Sequence, residues 1–423
     1  MTATKMKKQK RNRSAKSLFG REFVVAAGIE ATSVLGNEGA ADMFQYELID
    51  HINQLESDYQ LISSLGIDIA RVMAPWHLFE PQNGEFDFAI TDRLFAALKL
   101  HGITPILEIS HYHTPGWTSF ADPEFPLYFE RAFRQIIGRY GHQVRHFTLC
   151  NEPTIAAHFC GRTAQWPPFL TGDEGAATVM LALADSVQRA GHAIRSLIPN
   201  AVLLSAEAMT CFNEVAPEAE HEADRLLSYD LLPWDLSRGA VDENHPWYEW
   251  FLRFGATPAR MQALKLNGIE QDVLGFAIYP WSLCNLSVDQ SGAVVRTPAS
   301  PHSSAVVNTL KRLEKRVSAW IYLSETSAGD DVGRSYWTKG IIESCRQSRK
   351  EGMKVLGVCV YPILTMIRWD MQWNNLSPYH SDNLLNLGAF DIEETEPGVL
   401  TRTETELAPC LRKITARRRT GKR

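Results

Sequence analysis

The chain has 423 residues but only seven cysteines, which are scattered and odd in number, and none of them forms a CxxC pair. This spacing argues against a disulfide framework and against a cysteine-based zinc site. It favours reduced thiols in a reducing compartment, so we expect a cytoplasmic protein.

The sequence also lacks features that would indicate other classes of protein. No apolar run is long enough to cross a membrane. The short run at residues 23–29 is separated from the basic segment before it by Arg21 and Glu22, so it is predicted to be a core strand and not a signal sequence. No GxGxxG or GxxxxGK turn follows a predicted strand, so nucleotide binding has no support. A formal charge of −6 gives no general attraction to nucleic acid.

Positive charge is concentrated at the two ends of the chain, in TKMKKQKRNRSAK and RKITARRRTGKR. Such runs are typical of solvated tails. Between them no linker is apparent. We therefore predict a basic tail over residues 1–20, a single catalytic domain over 21–409 and a second basic tail over 410–423.

Eight short apolar runs alternate with amphipathic helical stretches along the domain. Near-continuous apolar strands, each followed by a helix, imply a parallel sheet that is buried on both faces. Eight such units favour a closed (β/α)8 barrel, with loop and helix insertions on its C-terminal face, over an open sheet. The predicted strands are residues 23–29, 69–74, 104–110, 146–152, 201–208, 273–280, 319–326 and 355–363. The long insertion at 209–272, with Trp234, Trp247 and Trp250, is expected to cover one end.

Two glutamates stand at the tips of predicted strands, where the reacting groups of such a barrel lie. Glu152 follows the fourth strand in HFTLCNEP, and Glu325 nearly ends the seventh in AWIYLSET. Glycoside hydrolysis needs two carboxyl groups beside one bond, one protonated and one ionised. Taken singly, Glu152 would equally suit the N-cap of the next helix, and Glu325 a rim residue paired with an arginine.

Six segments, in order along most of the chain, resemble glycoside hydrolase family 1. They match the second-strand arginine and tryptophan, the third-strand histidine, the acid/base tripeptide, the sixth-strand tyrosine, the nucleophile segment and the eighth-strand tryptophan. The segments are RVMAPW, HYHTP, NEP, GFAIY, YLSET and GVCVYPILTMIRW.

The resemblance implies a retaining β-glycosidase that acts on a small β-glycoside without a cofactor or metal. Glu325 would be the nucleophile and Glu152 the general acid and base, with their carboxyl groups about 5–5.5 Å apart. The remaining roles fall to Arg71 and Tyr279 beside Glu325, Asn151 and His111 on sugar hydroxyls, and Trp369 beneath the ring.

The implied activity is exo-type hydrolysis of a β-glycosidic bond through a covalent glycosyl-enzyme intermediate. Carbohydrate is accordingly the expected partner, with no nucleic acid and no membrane. Two alternatives stay open: a transglycosidase that uses the same two glutamates, and a carbohydrate-binding scaffold that has lost turnover. The HxH of His111 and His113 has no further histidine after the fifth or sixth strand, so a metal site is not predicted.

The chain departs from the family pattern at four positions that concern the sugar. Glu30 is the nearest polar residue to a first-strand glutamine, and Ala277 and Tyr361 replace an asparagine and a tryptophan. Arg368 replaces a glutamate that bridges the outer sugar hydroxyls in glucosidases. We expect Arg368 to meet a carboxylate or phosphate of the substrate, or to pair with an internal acid such as Glu30 or Asp370.

Four tryptophans in or near the predicted loops suit either sugar stacking or packing. They are Trp76, Trp117, Trp166 and Trp281.

Overall fold

The computed structural model describes residues 14–36 and 40–416. Eight parallel strands close into a barrel in which each strand pairs with its neighbours along the chain and the first pairs with the last. The strands are Val24–Gly28 (β1), Ile69–Met73 (β2), Thr104–Glu108 (β3), His146–Asn151 (β4), Val202–Ala208 (β5), Val273–Ala277 (β6), Trp320–Thr326 (β7) and Val355–Val360 (β8). The predicted (β/α)8 barrel is confirmed, and each predicted strand contains one barrel strand.

The barrel strands are apolar because both of their faces are covered. Side chains fill the inside and a ring of helices covers the outside, so β1, β2, β4, β6 and β8 are buried along their whole length. Glycine is needed where a strand passes a large ring. A Cβ on Gly28 would lie 2.3 Å from the ring of Tyr361.

One long helix follows each barrel strand and packs an apolar face against it. In the helix after β3, Phe129, Phe133, Ile136 and Ile137 are buried at spacings of three and four residues, which places them on one face. The helices are Leu55–Ser64, Ala89–Leu100, Phe125–Tyr140, Gly172–Leu197, Pro258–Asn267, Ser304–Arg316, Arg334–Lys350 and Leu407–Ala416.

The insertions carry short elements beyond the ends of the strands. Their helices are Gln45–Leu48, Trp76–Phe79, Pro153–Ala156, Ala157–Arg162, Pro217–Ala219, Glu220–Asp230, Leu232–Ser237, Tyr248–Arg253, Pro280–Ser282, Met371–Asn374 and Ser381–Asn383. Their strand pairs are Ser33–Val34 with Met43–Phe44, Met366–Ile367 with Leu384–Leu385, and Phe390–Glu396 with Val399–Glu404.

The insertion after β5 is more than the predicted cover of loops and helices. Its first strand, Cys211–Val215, joins the hairpin Leu283–Val288 and Val294–Pro298 in a three-stranded sheet. Two segments far apart in sequence therefore build one wall above the barrel. Of the insertion's tryptophans, Trp234 is buried, while Trp247 and Trp250 are partly buried against the core.

The predicted tails are wrong where they reach into the described residues. Residues Ala15–Phe19 form a helix in which Leu18 is fully buried, and the ring of Phe19 stacks on His146 with centroids 4.4 Å apart. His146 begins β4, so this helix closes the N-terminal end of the barrel. At the other end Leu407–Ala416 is a helix with Leu411 buried. A few apolar residues within basic runs are enough to fold both segments. Residues 1–13 and 417–423 lie outside the described residues.

Over residues 14–36 and 40–416, none of the helices has the length and apolar character that a bilayer span requires.

Candidate active site

A cleft of about 820 Å³ lies at the C-terminal ends of the barrel strands. Most of the predicted site residues line it: Glu30, His111, Glu152, Tyr279, Glu325, Arg368 and Trp369. Arg71 and Asn151 are buried beneath and hydrogen-bond to residues of the site. The two glutamates therefore share one cavity, as the sequence interpretation requires.

Glu152 leaves β4 through an unusual backbone conformation. Its φ of 33° lies in the left-handed region, which side-chain-bearing residues seldom adopt, and its N–H donates to the carbonyl of Ala206 on β5 at 2.8 Å. Glu152 occupies the N-cap position of the helix Pro153–Ala156, but its side chain makes no capping hydrogen bond. Instead its carboxyl accepts a hydrogen bond from the Tyr112 hydroxyl. The carboxyl is thus directed into the cleft and not onto the helix.

Glu325 is held by a cation and a phenol. One oxygen is ion-paired with Arg71, and the other accepts a hydrogen bond from the Tyr279 hydroxyl at 2.8 Å. Arg71 also donates to Glu108, with Nη2 2.6 Å from Oε2, and to the side-chain oxygen of Asn151. Burial disfavours the charged guanidinium, but Glu108 and Glu325 outweigh it and hold the pKa of Arg71 well above its usual value.

The two cleft glutamates differ in how strongly their protons are held. Burial raises the pKa of Glu152 well above its usual range, and the neighbouring charge of Glu325 raises it further. Burial also raises the pKa of Glu325, but Arg71 and His111 oppose that rise. Glu325 therefore ionises first and Glu152 keeps its proton, which is the division of states that two cooperating carboxyl groups need.

His111, Glu30 and Trp369 are fixed by their neighbours. His111 bonds to Glu108 through Nδ1 at 3.0 Å and to the Asn151 amide nitrogen through Nε2 at 2.9 Å. Thr32 connects the other two, because its N–H donates to Glu30 at 3.0 Å and its hydroxyl accepts from the Trp369 indole at 3.2 Å. One wall of the cleft is therefore rigid before any ligand binds.

Arg368 has a looser environment. It lines the cleft with its side chain 45% exposed, and Nε lies 3.2 Å from Asp370. Of the two internal acids that we expected as partners, Asp370 is the one it meets, while Glu30 belongs to the His111 and Thr32 group. One contact with an exposed aspartate leaves the guanidinium able to reach a ligand.

Sequence reasoning missed the importance of three residues. Glu108, the last residue of β3, orients both Arg71 and His111. Tyr112 was not singled out, although it stands within the HYHTP segment and holds Glu152. Tyr361, noted only as a departure, lies with its ring centroid 5.2 Å from the Arg71 guanidinium. All three residues lie next to a strand tip or a recognised motif, and this position is the sequence feature that could have identified them.

Of the four tryptophans that suited stacking or packing, Trp76 and Trp166 are buried and Trp117 packs against the core. Trp281 is exposed and lines the cleft. Within the described part of the chain, no group of three or more histidine, cysteine, aspartate or glutamate side chains could hold a metal ion.

Glu207 faces a second, enclosed cavity of about 20 Å³ between β4, β5 and the helix Gly172–Leu197. Its Oε2 is buried without a hydrogen-bond partner among the described residues. Burial raises the pKa of this carboxyl to about 8. Glu207 is therefore neutral at pH 7 and lies outside the cleft.

The barrel brings two buried carboxyl groups, one after β4 and one on β7, into one cleft, which is an arrangement that suits glycoside hydrolysis. Residues 40–236 match the sequence model described as Glycosyl hydrolase family 1. A 6-phospho-beta-glucosidase of Dickeya chrysanthemi is 26% identical over 182 residues, which is 39% of this chain and 37% of that protein. A coniferin beta-glucosidase of Pinus contorta is 25% identical over 215 residues, 43% of this chain and 41% of that protein. The matches thus span well under half of these relatives.

Among solved structures, the beta-glucosidase from Thermotoga maritima in complex with castanospermine has the same fold. It aligns with a TM-score of 0.78 over 95% of this chain and 98% of that chain, at 16% identity. Over residues 40–236 the chain therefore resembles glycoside hydrolase family 1, and the resemblance seen in the motifs is confirmed.

Replacing Glu207 by glutamine should stabilise the protein at alkaline pH. In the folded wild-type protein the Glu207 carboxyl keeps its proton up to about pH 8. Its ordinary pKa, which applies to the unfolded chain, is 4.5. The free energy of unfolding should therefore fall as pH rises between these values, at about 1.4 kcal/mol per unit at most. We expect Glu207→Gln to match wild type at pH 5 and to exceed it by roughly 3 kcal/mol at pH 8.5 in urea denaturation. The exposed Glu218→Gln is the control, and equal stabilities at pH 8.5 would contradict a buried neutral carboxyl.

Proposed function

We propose that the protein is a retaining β-glycosidase that removes a terminal sugar from a small β-glycoside by double displacement. The observation that carries this proposal is the unequal carboxyl pair in one cleft. Glu325 is stabilised as an anion by Arg71 and Tyr279, while Glu152 is buried, protonated and bonded to Tyr112.

In the first step, a carboxylate oxygen of Glu325 attacks the anomeric carbon. The bond from that carbon to the glycosidic oxygen breaks, and Glu152 gives its proton to the departing oxygen. Arg71 and Tyr279 keep Glu325 ionised and oriented until the new ester bond forms. The expected separation of the two carboxyl groups, about 5–5.5 Å, leaves room for one sugar and no intervening water.

In the second step, Glu152 acts as a base. Once Glu325 is esterified it carries no charge, so one cause of the raised pKa of Glu152 is removed. The Glu152 carboxylate takes a proton from water, the water oxygen attacks the anomeric carbon, and the ester bond to Glu325 breaks. Two displacements on the same carbon retain the β configuration.

The first sugar would lie against the wall that Thr32 holds rigid. Trp369 offers a ring face for stacking, and Glu30 offers polar atoms to hydroxyls. His111, whose two ring nitrogens bond to Glu108 and Asn151, would orient the Asn151 amide so that its second N–H donates to the 2-OH. An amide–hydroxyl bond of this kind strengthens in the transition state. The catalytic domain would include residues 14–36 and 40–416, since the helices Ala15–Phe19 and Leu407–Ala416 pack on the barrel.

Two further features concern the setting of the reaction. All seven cysteines are free thiols, and all but Cys410 are buried, which supports a reducing compartment such as the cytoplasm. A transglycosidase would use the same two glutamates with an alcohol in place of water. A silent binding scaffold is disfavoured, because a binding protein has no need of a buried protonated acid beside an anion.

The nucleophile is tested by covalent trapping. A fluorinated glycoside with a good leaving group should add one sugar mass to the wild-type protein, and Glu325→Gln should remain unlabelled. Steady-state turnover should fall by at least about 10⁴-fold, because the ester cannot form. Intact mass spectrometry and kcat/KM measure the two effects. Full activity in Glu325→Gln would contradict the assignment.

The acid and base is tested by chemical rescue. Glu152→Ala should still be glycosylated by substrates whose leaving group needs no proton, and it should then stall. Azide needs no general base, so it should restore turnover and yield a β-glycosyl azide. Tyr112→Phe is the matched control, since it alters the neighbour but keeps the carboxyl. If azide has no effect on Glu152→Ala, Glu152 is not the base.

The role of Arg368 is tested with nitrophenyl probes that carry glucose, galactose, glucuronic acid or 6-phosphoglucose. We expect a charged sugar to be preferred, because Asp370 is the only ion-pair partner of the guanidinium within residues 14–36 and 40–416, and the guanidinium faces the cleft. Arg368→Glu should reduce kcat/KM for that sugar by roughly 10- to 100-fold and favour neutral ones. Equal rates for charged and neutral sugars would remove any role for Arg368 in recognition.

A further inference from the structure

The residues of the cleft divide into two walls according to the strands that they follow. Glu30, His111 and Trp369 follow β1, β3 and β8 and form the wall assigned above to the first sugar. The opposite wall follows β4, β5 and β6. This inference rests on the proposed function: the leaving group must lie on the far side of the reacting bond from the first sugar, so it faces the second wall.

A buried carboxyl group lies in that second wall. Asp230 ends the helix Glu220–Asp230 and lines the cleft, although it is only 9% exposed. Its Oδ2 accepts a hydrogen bond from the backbone N–H of Thr210 at 2.7 Å. Burial raises the pKa of Asp230 to about 6, and Thr210 and Arg296 limit that rise. At pH 7 the carboxylate is therefore a strong hydrogen-bond acceptor.

A donor and an aromatic face accompany this carboxylate. Arg296, on the strand Val294–Pro298, is exposed at the cleft, and its charge acts on Asp230. The indole of Trp281 is 60% exposed and lies parallel to the ring of Tyr279, with centroids 4.6 Å apart. Tyr279 in turn holds Glu325 at 2.8 Å. The exposed indole is thus fixed close to the reacting centre.

We propose that Asp230, Arg296 and Trp281 form a leaving-group subsite that takes a sugar ring. The carboxylate accepts from hydroxyls, the guanidinium donates to them, and the indole covers the apolar face of a pyranose. An apolar aglycone would displace water from Asp230 and Arg296 without offering either of them a hydrogen bond, which is unfavourable. The natural substrate is accordingly a β-linked disaccharide or short oligosaccharide.

The experiment compares β-linked disaccharides with a nitrophenyl glycoside of the same first sugar, chosen from the probe set above. The measured quantity is the ratio of kcat/KM for the best disaccharide to that for the nitrophenyl glycoside. We expect Asp230→Asn and Trp281→Ala each to lower this ratio at least about tenfold, since each removes contacts that only the second sugar makes. Asp224→Asn, exposed on the same helix, should keep the wild-type ratio.

Two results would overturn the subsite: hydrolysis of nitrophenyl glycosides but of no disaccharide, or an unchanged ratio in both variants, whether activity is retained or falls equally on both substrates. Thermal unfolding identifies a folding defect in either variant. Disaccharide binding to Glu325→Gln, followed by tryptophan fluorescence, needs no turnover. If the fluorescence change on adding the disaccharide is lost when Trp281→Ala is also present and weakened when Asp230→Asn is also present, the subsite is supported even if the proposed chemistry fails. Absence of any sugar-dependent change overturns it.

Discussion

The site depends on one buried cation. Arg71 lies inside the barrel mouth, almost wholly removed from water, and a guanidinium there is tolerable only with full pairing. Glu108 and Glu325 supply that pairing, and Asn151 accepts a further bond. The same contacts orient the site, because Glu108 also holds His111 and Glu325 also holds Tyr279. The contacts that stabilise the buried charge of Arg71 therefore also set the geometry of the cleft.

The contrast between the two cleft glutamates follows from that placement. Both are buried, so burial raises the pKa of each. Of the two cleft glutamates, Arg71 is ion-paired with Glu325, while Glu152 has the Tyr112 hydroxyl and faces a neighbouring negative charge. A cation shared with Glu108 thus separates two otherwise similar carboxyl groups into an anion and an acid. The residues of its own strand alone would not give either glutamate its protonation state.

The sequence predicted the barrel because each strand and helix is signalled by its own residues. The tip positions of Glu152 and Glu325 follow from that register. The three-stranded sheet could not be predicted in this way, because Cys211–Val215 pairs with strands some seventy residues later, and pairing at that distance leaves no local pattern. The helix Ala15–Phe19 was not predicted for another reason, because its apolar residues are few and lie beside a run of positive charge.

The groups that we propose for catalysis and those that we propose for sugar selection differ in where they lie in the fold. Arg71, Glu108 and Glu325 belong to barrel strands and are buried, so their positions are fixed by the fold. Arg368, Arg296 and Trp281 lie in a loop, an added strand and a short added helix, and all three are substantially exposed, so each depends on few neighbours. Substitutions in the second group cost little stability and change which ligands are stabilised. Substitutions in the first group disturb a charge balance that the barrel itself needs. For this reason the sequence motifs predict the proposed chemistry. The choice of sugar depends on contacts between distant segments, which the motifs do not predict.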